Sequence, residues 1–399
     1  MAPLTPLDRA IHPPVGPLNV LMVGLEWFSD NPGGGGRYLA DIAKGLAARG
    51  HRVTVLVPRL APEHPAAEDM DGVRVERFRA QGLAAKLAVP HAEVTRLARE
   101  RGPFDVVHSH FALYGVGPLW HPAAANARRI TQFQGPWAAE SRVEGEGRVS
   151  VAIKHAIERL AYRRSHDLIV LSDDFKQKLT AGYGIDPAHV HVIPAAVDQA
   201  RFQPPASKAA VRQALGIGPG PALFAMRRLV RRMGIEVLLD AFAKVLAAHP
   251  EATLRLAGTG PIEQELRARA LSLGLGEAVS WLGRVSDADL VRHYQAADFT
   301  VVPTVALEGF GLITVESLAC GTPVVGTAEG GTAEILRPFA PQLLVPPGQP
   351  DALADKLLAL LAGTEPTPDG AACRRYAEAH YGWDHVLARV ETVLVGGGR

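Results

Sequence analysis

The stretch FTVVPTVALEGFGLITVE, residues 299–316, joins an apolar, β-branched run to a helical pattern through a glycine-rich turn. The run has the composition of a buried strand, and we expect a helix to begin near Gly311. Glu308 and Glu316 flank that turn. On one continuous helix they would lie about 12 Å apart and roughly 80° around the axis. Two carboxylates acting on one glycosidic bond usually lie about 5–9.5 Å apart, so we expect these two to serve different parts of one extended ligand.

Strand-like runs alternate with longer helical patterns in both halves of the chain, which is typical of a parallel α/β sheet. The segment 198–220, rich in Pro, Gly and Ala, is predicted to be a linker. We predict two doubly wound, Rossmann-like domains, 18–197 and 221–375, after a loose arm over 1–17. Ligands of such sheets bind beyond the carboxyl ends of the strands, so we expect the domains to face each other across an interdomain cleft that holds the site. The predicted strands are 18–24, 51–58, 73–78, 105–110, 129–134, 166–172, 189–194, 221–226, 252–258, 278–283, 299–304, 323–327 and 342–346.

Composition excludes several classes of protein. The 399 residues carry 42 Lys and Arg against 41 Asp and Glu, a net charge of +1, so no global field recruits nucleic acid and we expect no such partner. No apolar run approaches the roughly 20 residues of a membrane span, and residues 1–17 lack the apolar core of a signal peptide. Cys320 and Cys373 favour a reducing compartment without a disulfide framework. We therefore expect a cytoplasmic globular protein; the sequence does not indicate its oligomeric state.

Two segments at strand ends are suited to anions. Gly33, Gly34, Gly35 and Gly36 follow the first strand and open a helix, so their amides can point at a phosphate, although the segment is neither a dinucleotide fingerprint nor a P-loop. The alternative is a mobile glycine-rich loop. The segment MRRLVRRMG (226–234) places four arginines at another strand end, where they suit a diphosphate without a metal, or form a solvated basic turn. Glu308 has a simpler alternative as a helix cap.

Metal and hydrolytic sites are not predicted. The two Asp-x-Asp matches are 69–71, in a predicted loop, and 287–289, where Ser286 or Asp287 is better explained as a helix N-cap. No cluster has zinc-ligand spacing, and no G-x-S-x-G elbow is present. His110 ends a strand and is either a ligand contact or a structural residue.

The segment 148–164 predicts an amphipathic helix with Val149, Ile153, Ala156, Ile157 and Leu160 on one face. We favour an ordinary helix whose apolar face packs on the core. The alternative is peripheral contact with a membrane surface, at the inner face of the membrane, or with an acidic acceptor.

Taken together, these blocks resemble the family 4 retaining glycosyltransferases, which have the GT-B fold. The resemblance covers about 18–395. Its most specific part is LEGFGLITVESLACGTPVVGTAEGGTAEIL (307–336), which carries the E-x7-E spacing of the family from Glu308 to Glu316. Other matching blocks are RRLVRRMGIEVLLDAFA, LRLAGTGP and LGRVSDADLVRHYQAADFTVVPT. The resemblance also implies that C-terminal helices at about 376–395 cross back onto the first domain.

The resemblance implies a hexosyltransferase-type enzyme that moves a sugar from a nucleotide diphosphate sugar, a UDP- or GDP-sugar, to a hydroxyl acceptor. It implies retention of configuration and no metal or other cofactor. Glu308 would lie by the donor sugar, Glu316 would bind the ribose hydroxyls, and Arg228 with Arg232 would neutralise the diphosphate. The remaining implied donor contacts are the amides of Gly309, Phe310, Gly311 and Leu312, the backbone of Arg284 and Val285 at the base, and Gly258.

On the acceptor side, the resemblance implies that the loop Gly33–Gly36 closes on phosphates and acceptor, with Gln134 and His110 nearby. Three residues depart from the family pattern: Met233 replaces a lysine, Gln134 replaces a histidine and Ala196 replaces a glycine. Two kinds of alternative function stay open. One is a catalytically silent nucleotide-sugar-binding partner of another transferase; the other is a glycoside phosphorylase or nucleotide-sugar epimerase on the same fold.

Overall fold

A computed structural model describes residues 16–30 and 33–396. The chain forms two compact units. The first unit comprises the described residues up to Ala195 together with those from Trp383 onward, and the second runs from Ala196 to Gly382. Residues 1–15 of the predicted N-terminal arm lie outside the described residues.

Within the described residues, the first unit is built on an eight-stranded sheet of order β3-β4-β2-β1-β5-β6-β7-β8. Only β3 runs antiparallel to its neighbour. The strands β1 and β5 are fully or almost fully buried, as expected for a parallel sheet covered by helices on both faces. The strands are β1 (Asn19–Val23), β2 (Arg52–Pro58), β3 (Ala67–Met70), β4 (Val73–Phe78), β5 (Val106–Ser109), β6 (Arg128–Phe133), β7 (Asp167–Val170) and β8 (Val190–Val192).

The helices of the first unit connect these strands and cover the sheet. Edge-to-face aromatic contacts fix part of the core, with Phe133 of β6 lying 5.3 Å from Phe175 and 5.6 Å from Tyr162 between ring centroids. The helices are α1 (Gly34–Ala48), α2 (Gly82–Arg101), α3 (Ala112–Trp120), α4 (Trp137–Val143), α5 (Arg148–Arg164) and α6 (Asp173–Tyr183).

The second unit is a six-stranded parallel sheet of order β11-β10-β9-β12-β13-β14, counted over its described residues. Its strands are β9 (Ala222–Met226), β10 (Thr253–Ala257), β11 (Val279–Gly283), β12 (Phe299–Val302), β13 (Val324–Thr327) and β14 (Leu344–Val345). Its helices are α7 (Lys208–Ala214), α8 (Ile235–Ala248), α9 (Glu263–Ser272), α10 (Asp287–Ala296), α11 (Leu312–Ala319), α12 (Gly330–Leu336), α13 (Pro350–Leu361) and α14 (Gly370–His380). The final helix α15 (Trp383–Val395) belongs to the first unit.

The predicted fold class of two doubly wound α/β units is confirmed. Both sheets reverse their strand order beside the first strand, between β1 and β5 and between β9 and β12. Loops that leave neighbouring strands at such a switch point diverge to opposite faces of the sheet and leave a crevice at its carboxyl edge. Each unit therefore has one preferred place for a ligand, next to the loops that follow these strands.

All thirteen predicted strands are present, but one strand, β3, was missed. Its sequence AEDM is polar and lacks β-branched residues, so pattern alone placed 69–71 in a loop. The strand forms because it pairs with β4 at the sheet edge, where Asp69 bonds Arg74 at 3.0 Å and Glu68 pairs with Arg77. Edge strands of this kind depend on their neighbour more than on their own propensity.

The segment 198–220 contains α7, which two cations fix to one carboxylate. Lys208 and Arg212 contact Asp298 at 2.8 and 2.6 Å, and Ser207 caps the helix by accepting a bond from the amide of Ala210. Of the C-terminal helices, α14 lies within the second unit and α15 within the first.

The interpretation of α5 as presenting its apolar stripe to the core is wrong. Val149, Ile153 and Leu160 are 75%, 44% and 49% exposed. The buried face instead carries Ile157, Glu158, Ala161 and Tyr162. Glu158 and Tyr162 can lie on the buried face because they form a hydrogen bond with each other. A pattern of hydrophobic residues does not indicate such a pair.

Candidate active site

A buried cluster of Arg227, Thr304 and Glu308 joins the loops that follow β9 and β12, at the switch point of the second sheet. Arg227 Nη2 donates to Glu308 Oε2 at 2.7 Å and to Thr304 Oγ1 at 2.9 Å. Thr304 Oγ1 donates to the same oxygen of Glu308 at 2.7 Å. All three residues are buried. The cluster fixes the orientation of the Glu308 carboxylate before any ligand is present.

The loop that carries Glu308 is held on both sides by its backbone. Arg232 Nη1 donates to the carbonyl of Leu307 at 3.0 Å, and the amide of Leu307 donates to Glu329 Oε1 at 3.1 Å. Leu307 has a left-handed backbone with φ of 60°, which is unfavourable for a side chain of this size. The two bonds stabilise that conformation, and the loop turns into α11 at Gly311, where we predicted the helix to begin.

Close backbone contacts explain the glycines around this loop. A Cβ atom on Gly330 would lie 2.1 Å from the carbonyl oxygen of Glu308, and one on Gly331 would lie 2.3 Å from the Cα of Phe310. The amide of Gly331 donates to the carbonyl of Glu308 at 3.1 Å. The start of α12 therefore packs directly on the segment between the two glutamates, and a larger residue at either position would displace Glu308.

Glu316 lies in the interior of α11 and is held by a different partner. Tyr294 Oη donates to Glu316 Oε2 at 2.8 Å, and both residues are buried. Burial and the negative charge of Glu316 raise the pKa of the Tyr294 phenol, so the tyrosine stays protonated and keeps donating. The two glutamates of the E-x7-E spacing thus have separate anchors.

The four arginines after β9 do not form one basic turn. Arg227 is committed to Glu308, and Arg231 is paired with Glu265 at 2.6 Å. Arg232 bonds the Leu307 carbonyl, and Arg228 is exposed at the same edge of the sheet. Among these four residues of the described structure, the predicted diphosphate ligand Arg228 is the one that is exposed to solvent without a carboxylate partner.

The other predicted donor residues occupy loops at the same edge. Gly258 has φ of 118°, and a Cβ there would lie 1.9 Å from the carbonyl oxygen of Arg227, so it permits β9 and β10 to end side by side. Val285 is half-buried in the loop between β11 and α10. Phe310 directs its ring to Tyr381, 5.7 Å away between centroids, so its side chain anchors the loop in the core. Gly309 and Leu312 flank the helix start.

In the first unit, the predicted glycine loop forms the first turn of α1, with Gly33 as N-cap. The carboxylate of Glu26, which sequence analysis missed, lies against this turn. A Cβ on Gly33 would meet Glu26 Oε1 at 2.5 Å, and one on Gly36 would meet Glu26 Cγ at 2.9 Å. The glycines therefore leave room for Glu26, and a bound anion would share the helix start with a negative charge.

Gln134 and His110 do come together with the glycine loop. Gln134 Nε2 lies 3.4 Å from His110 Nδ1 and 3.5 Å from the carbonyl of Gly35. A Cβ on Gly35 would meet Gln134 Oε1 at 2.3 Å. Burial and the neighbouring His108 hold the pKa of His110 well below its ordinary value. We call Gln134 and His110 the Gln134 station. Both side chains are neutral at pH 7 and can exchange hydrogen bonds with a hydroxyl, whereas the cluster of the second unit is charged.

A buried carboxylate, Glu158 of α5, positions the segment after Gln134. It accepts bonds from the amides of Trp137 and Ala138 at 2.7 and 3.2 Å, and from the hydroxyls of Tyr183 and Tyr162 at 2.6 and 3.2 Å. Burial raises the pKa of the Glu158 carboxyl despite these donors. The carboxylate lies at the N-terminus of α4, where the helix dipole favours a negative charge.

The Asp-x-Asp segments have structural partners. Asp69 pairs with Arg74 and Asp71 with Lys44, while Ser286 caps α10 by accepting a bond from the amide of Asp289. In the part of the chain that the structure describes, no group of three potential ligands is placed to hold a metal ion.

Sequence reasoning missed the roles of Arg227, Glu26 and Glu158, and also those of Thr304 and Tyr294, which bond the two glutamates. Arg227 was recognised as part of a basic segment, but its pairing with Glu308 depends on which strands are neighbours. Glu26 and Glu158 depend on rotamers and on packing between distant elements. For Glu158, the one signal in the sequence is a carboxylate next to the apolar residues of a helix, since buried carboxylates are rare unless they are paired.

Comparisons with known proteins identify the family and the fold of the chain. Two family models match the chain: Glycosyltransferase Family 4 over residues 32–201 and Glycosyl transferases group 1 over 207–380. D-inositol 3-phosphate glycosyltransferase of Geodermatophilus obscurus is 32% identical over 391 residues, covering 90% of this chain and 84% of that protein. Sucrose-phosphate synthase from Thermosynechococcus elongatus superposes with a TM-score of 0.81 at 22% identity, covering 95% of this chain and 98% of the other.

HepE of Anabaena, solved in complex with UDP-glucose, superposes with a TM-score of 0.76 at 22% identity, covering 95% of this chain and all (100%) of the other. The two α/β units described above match both solved structures, so the chain has the GT-B fold of sugar transferases. By its family models and its relatives, the chain belongs to the family 4 glycosyltransferases, also described as group 1.

Replacing Arg227 by methionine should leave the Glu308 carboxylate buried without its cation. Removing one partner of a buried pair costs about 3–5 kcal/mol. For a unit of this size we expect the midpoint of thermal unfolding to fall by roughly 6–15 °C, measured by calorimetry on the full chain. Arg228→Met, one residue away and exposed, is the matched control and should change stability by less than about 0.5 kcal/mol. Equal midpoints for both variants would contradict the assigned pairing.

The buried His108 predicts a pH dependence of stability. Burial lowers its pKa to about 3 from an unfolded value near 6.5. Its contribution is therefore complete above pH 6.5 and is lost as pH falls toward 3, because only the unfolded chain takes up the proton. The loss is about 2 kcal/mol at pH 5. In His108→Leu, the midpoint of thermal unfolding should change less between pH 7 and pH 5 than in the wild type. His249→Gln, in the second unit, should keep the wild-type pH dependence. An unchanged pH dependence in His108→Leu would refute this assignment.

Proposed function

We propose that the chain is a retaining, metal-independent hexosyltransferase that moves a sugar from a nucleotide diphosphate sugar to a hydroxyl acceptor. The observation that carries the proposal is the pair of buried glutamates on either side of the turn at 309–311, each with its own anchor. Arg227 and Thr304 hold Glu308, and Tyr294 holds Glu316. Two carboxylates fixed separately suit one extended ligand with hydroxyls at both ends, namely a sugar and a ribose.

Glu308 attends to the donor sugar. Both of its donors in the described structure engage Oε2, which leaves Oε1 as the oxygen for a sugar hydroxyl. Its negative charge lies where positive charge develops on the anomeric carbon as the bond to the diphosphate breaks. Because the carboxylate is oriented in advance, it needs no rearrangement during the reaction.

The proposed reaction is a front-face displacement. The acceptor oxygen forms a bond to the anomeric carbon while the bond from that carbon to the diphosphate oxygen breaks. The proton of the acceptor hydroxyl passes to the departing diphosphate oxygen. This route leaves the protein with the tasks of positioning the acceptor and stabilising charge.

The nucleotide half of the donor is assigned to the remaining groups of the second unit. Arg228, exposed at the sheet edge, and Arg232 neutralise the diphosphate, with the amides at 309–312 at the helix start. Arginine forks can supply this charge where a metal would otherwise be needed. Glu316 accepts bonds from the ribose hydroxyls, and the backbone at Arg284 and Val285 meets the base, with Gly258 allowing the close approach of β9 and β10.

The donor is proposed to be a UDP- or GDP-sugar, with no other cofactor. HepE, which shares the fold, was solved with UDP-glucose. The acceptor is assigned to the first unit, where the neutral station of Gln134 and His110 lies against the glycine turn and is suited to orienting a hydroxyl.

The first experiment is a calorimetric titration of UDP, GDP, ADP and dTDP into the protein in EDTA. We expect one nucleotide to bind without metal and Glu316→Gln to weaken it by about 10-fold to 100-fold, since a hydrogen bond to a charged group contributes about 1.5–3 kcal/mol. Glutamine is chosen because it still accepts the Tyr294 bond. Glu277→Gln, exposed at the opposite edge of the sheet, is the control and should bind normally. Binding that requires a divalent ion would reject metal independence.

Glu308→Gln should lower turnover by about 100-fold or more while changing nucleotide affinity less than about twofold. The nucleotide identified by titration names the base of the donor, and slow hydrolysis of sugar nucleotides with that base is followed by chromatography of the released nucleotide. Glu265→Gln, which removes the exposed partner of Arg231, should keep full activity. Near-normal turnover by Glu308→Gln would remove its assigned role, and a wild-type protein that binds but never turns over a donor would be a silent binding partner.

A further inference from the structure

The outward face of α5 is apolar, although it does not pack on the core. Val149, Ile153 and Leu160 are 75%, 44% and 49% exposed, and Ala152 and Ala156 lie exposed between them. We call these five residues the α5 outer face. They fall within about 100° of the helix circumference, at 100° per residue. Contiguous exposed apolar surface of this kind marks an interaction site more often than scattered exposed side chains do.

Trp120 at the end of α3 extends the α5 outer face. It is 49% exposed, and its Nε1 donates to the carbonyl of Leu160 at 3.2 Å. The Arg164 guanidinium lies 4.9 Å from the centre of the Trp120 ring. A tryptophan with an apolar body and a satisfied polar tip is typical of the boundary between hydrocarbon and headgroups.

Cations border this apolar surface. Arg148 and Arg159 are exposed on α5 beside the outer face, Arg163 is exposed at the C-terminal end of that face, and within the described chain no carboxylate pairs with them. The acidic residue of α5, Glu158, is buried on the opposite side. The whole chain carries a net charge of only +1, and the exposed Glu144 and Glu146 precede Arg148, so the positive charge lies toward Arg159 and Arg163 in the second half of α5.

We propose that the α5 outer face binds the surface of an anionic lipid bilayer, with the helix lying in the plane of the interface. An apolar stripe edged by arginines and a tryptophan fits this role, because the stripe enters the headgroup boundary by about 5–10 Å while the arginines meet lipid phosphates. Among the described residues, none of the helices combines the length and the apolar composition of a membrane span.

Two other occupants fit less well. A second copy docking symmetrically through this face would place the arginine borders of both copies together, and like charges at an interface are unfavourable. Nucleic acid would be met by the arginines but would leave Val149, Ile153 and Leu160 against water and phosphate. An anionic bilayer matches both features, because its phosphates can contact the arginines and its hydrocarbon can contact the apolar residues.

The opposite face of α5 gives this contact a mechanical consequence. Glu158 on that face holds the amides of Trp137 and Ala138, directly after the segment that bears Gln134. A bilayer bound to the outer face of α5 would therefore be linked, through Glu158, to the segment that follows Gln134 in the same unit. The binding inference itself does not depend on the proposed function.

The test is sedimentation of the full-length protein with vesicles of phosphatidylcholine, with and without about 30% phosphatidylglycerol. We expect binding to the anionic vesicles only, and weaker binding in about 0.5 M salt, where charges are screened beyond about 4 Å. The double variant Arg159→Gln/Arg163→Gln should lower the partition coefficient about 30-fold. Each arginine near an anionic surface contributes about 1 kcal/mol, and about 1.4 kcal/mol corresponds to a tenfold change. Ile153→Asp/Leu160→Asp should lower it by at least about tenfold.

Leu271→Asp is the matched control, because Leu271 is 73% exposed on α9 of the second unit and lies outside the proposed surface. It should bind vesicles like the wild type. All variants should keep the wild-type melting curve and nucleotide affinity, which separates this test from a failure of the proposed function. Wild-type binding equal on neutral and anionic vesicles, or unchanged in Ile153→Asp/Leu160→Asp, would overturn the inference. So would a dimer in solution that these substitutions dissociate, since a second copy would then cover the face.

Discussion

The ion pair between Arg227 and Glu308 ties together the two loops at which the second sheet reverses its strand order. Without a contact there, loops leaving β9 and β12 would diverge toward opposite faces of the sheet. Together with Thr304, the pair closes that gap with three buried hydrogen bonds, and the left-handed Leu307 and the glycine contacts of α12 lie directly beside residue 308. Desolvating two charges costs free energy, which their mutual attraction and the hydrogen bonds with Thr304 offset.

The two units share a sheet topology, but the side chains at their switch points differ in charge. At its switch point, the second unit holds carboxylates and arginines, while the first unit holds a glutamine and two histidines that burial keeps neutral. A charged station suits a diphosphate leaving group, and a neutral one suits a hydroxyl that must approach without being ionised. The fold supplies equivalent places, and the residues that end each strand decide what each place can do.

Much of the fold could be predicted from the sequence because the strands are short, β-branched and separated by clear turns, so their alternation with helices indicates a doubly wound sheet. The start of α11 was also predictable, from Gly311 alone. The strand β3 was not, because its acidic residues become a strand only through their partners on β4. The orientation of α5 was not predictable either. Burying the Glu158 carboxylate is favourable only because Tyr162, Tyr183 and two backbone amides donate hydrogen bonds to it, and these partners come from distant parts of the chain. For Arg227 the pattern gave the charge but not the partner, since pairing depends on strand order.

Glu26 has a consequence for which side chains the glycine turn can tolerate. Its carboxylate rests against the first turn of α1, where a Cβ on Gly33 would lie 2.5 Å from Glu26 Oε1 and one on Gly36 would lie 2.9 Å from Glu26 Cγ. A neighbour inside the same unit therefore requires these two glycines to lack a side chain. A run of glycines at a helix start can thus reflect the packing of an adjacent carboxylate as well as the approach of a ligand.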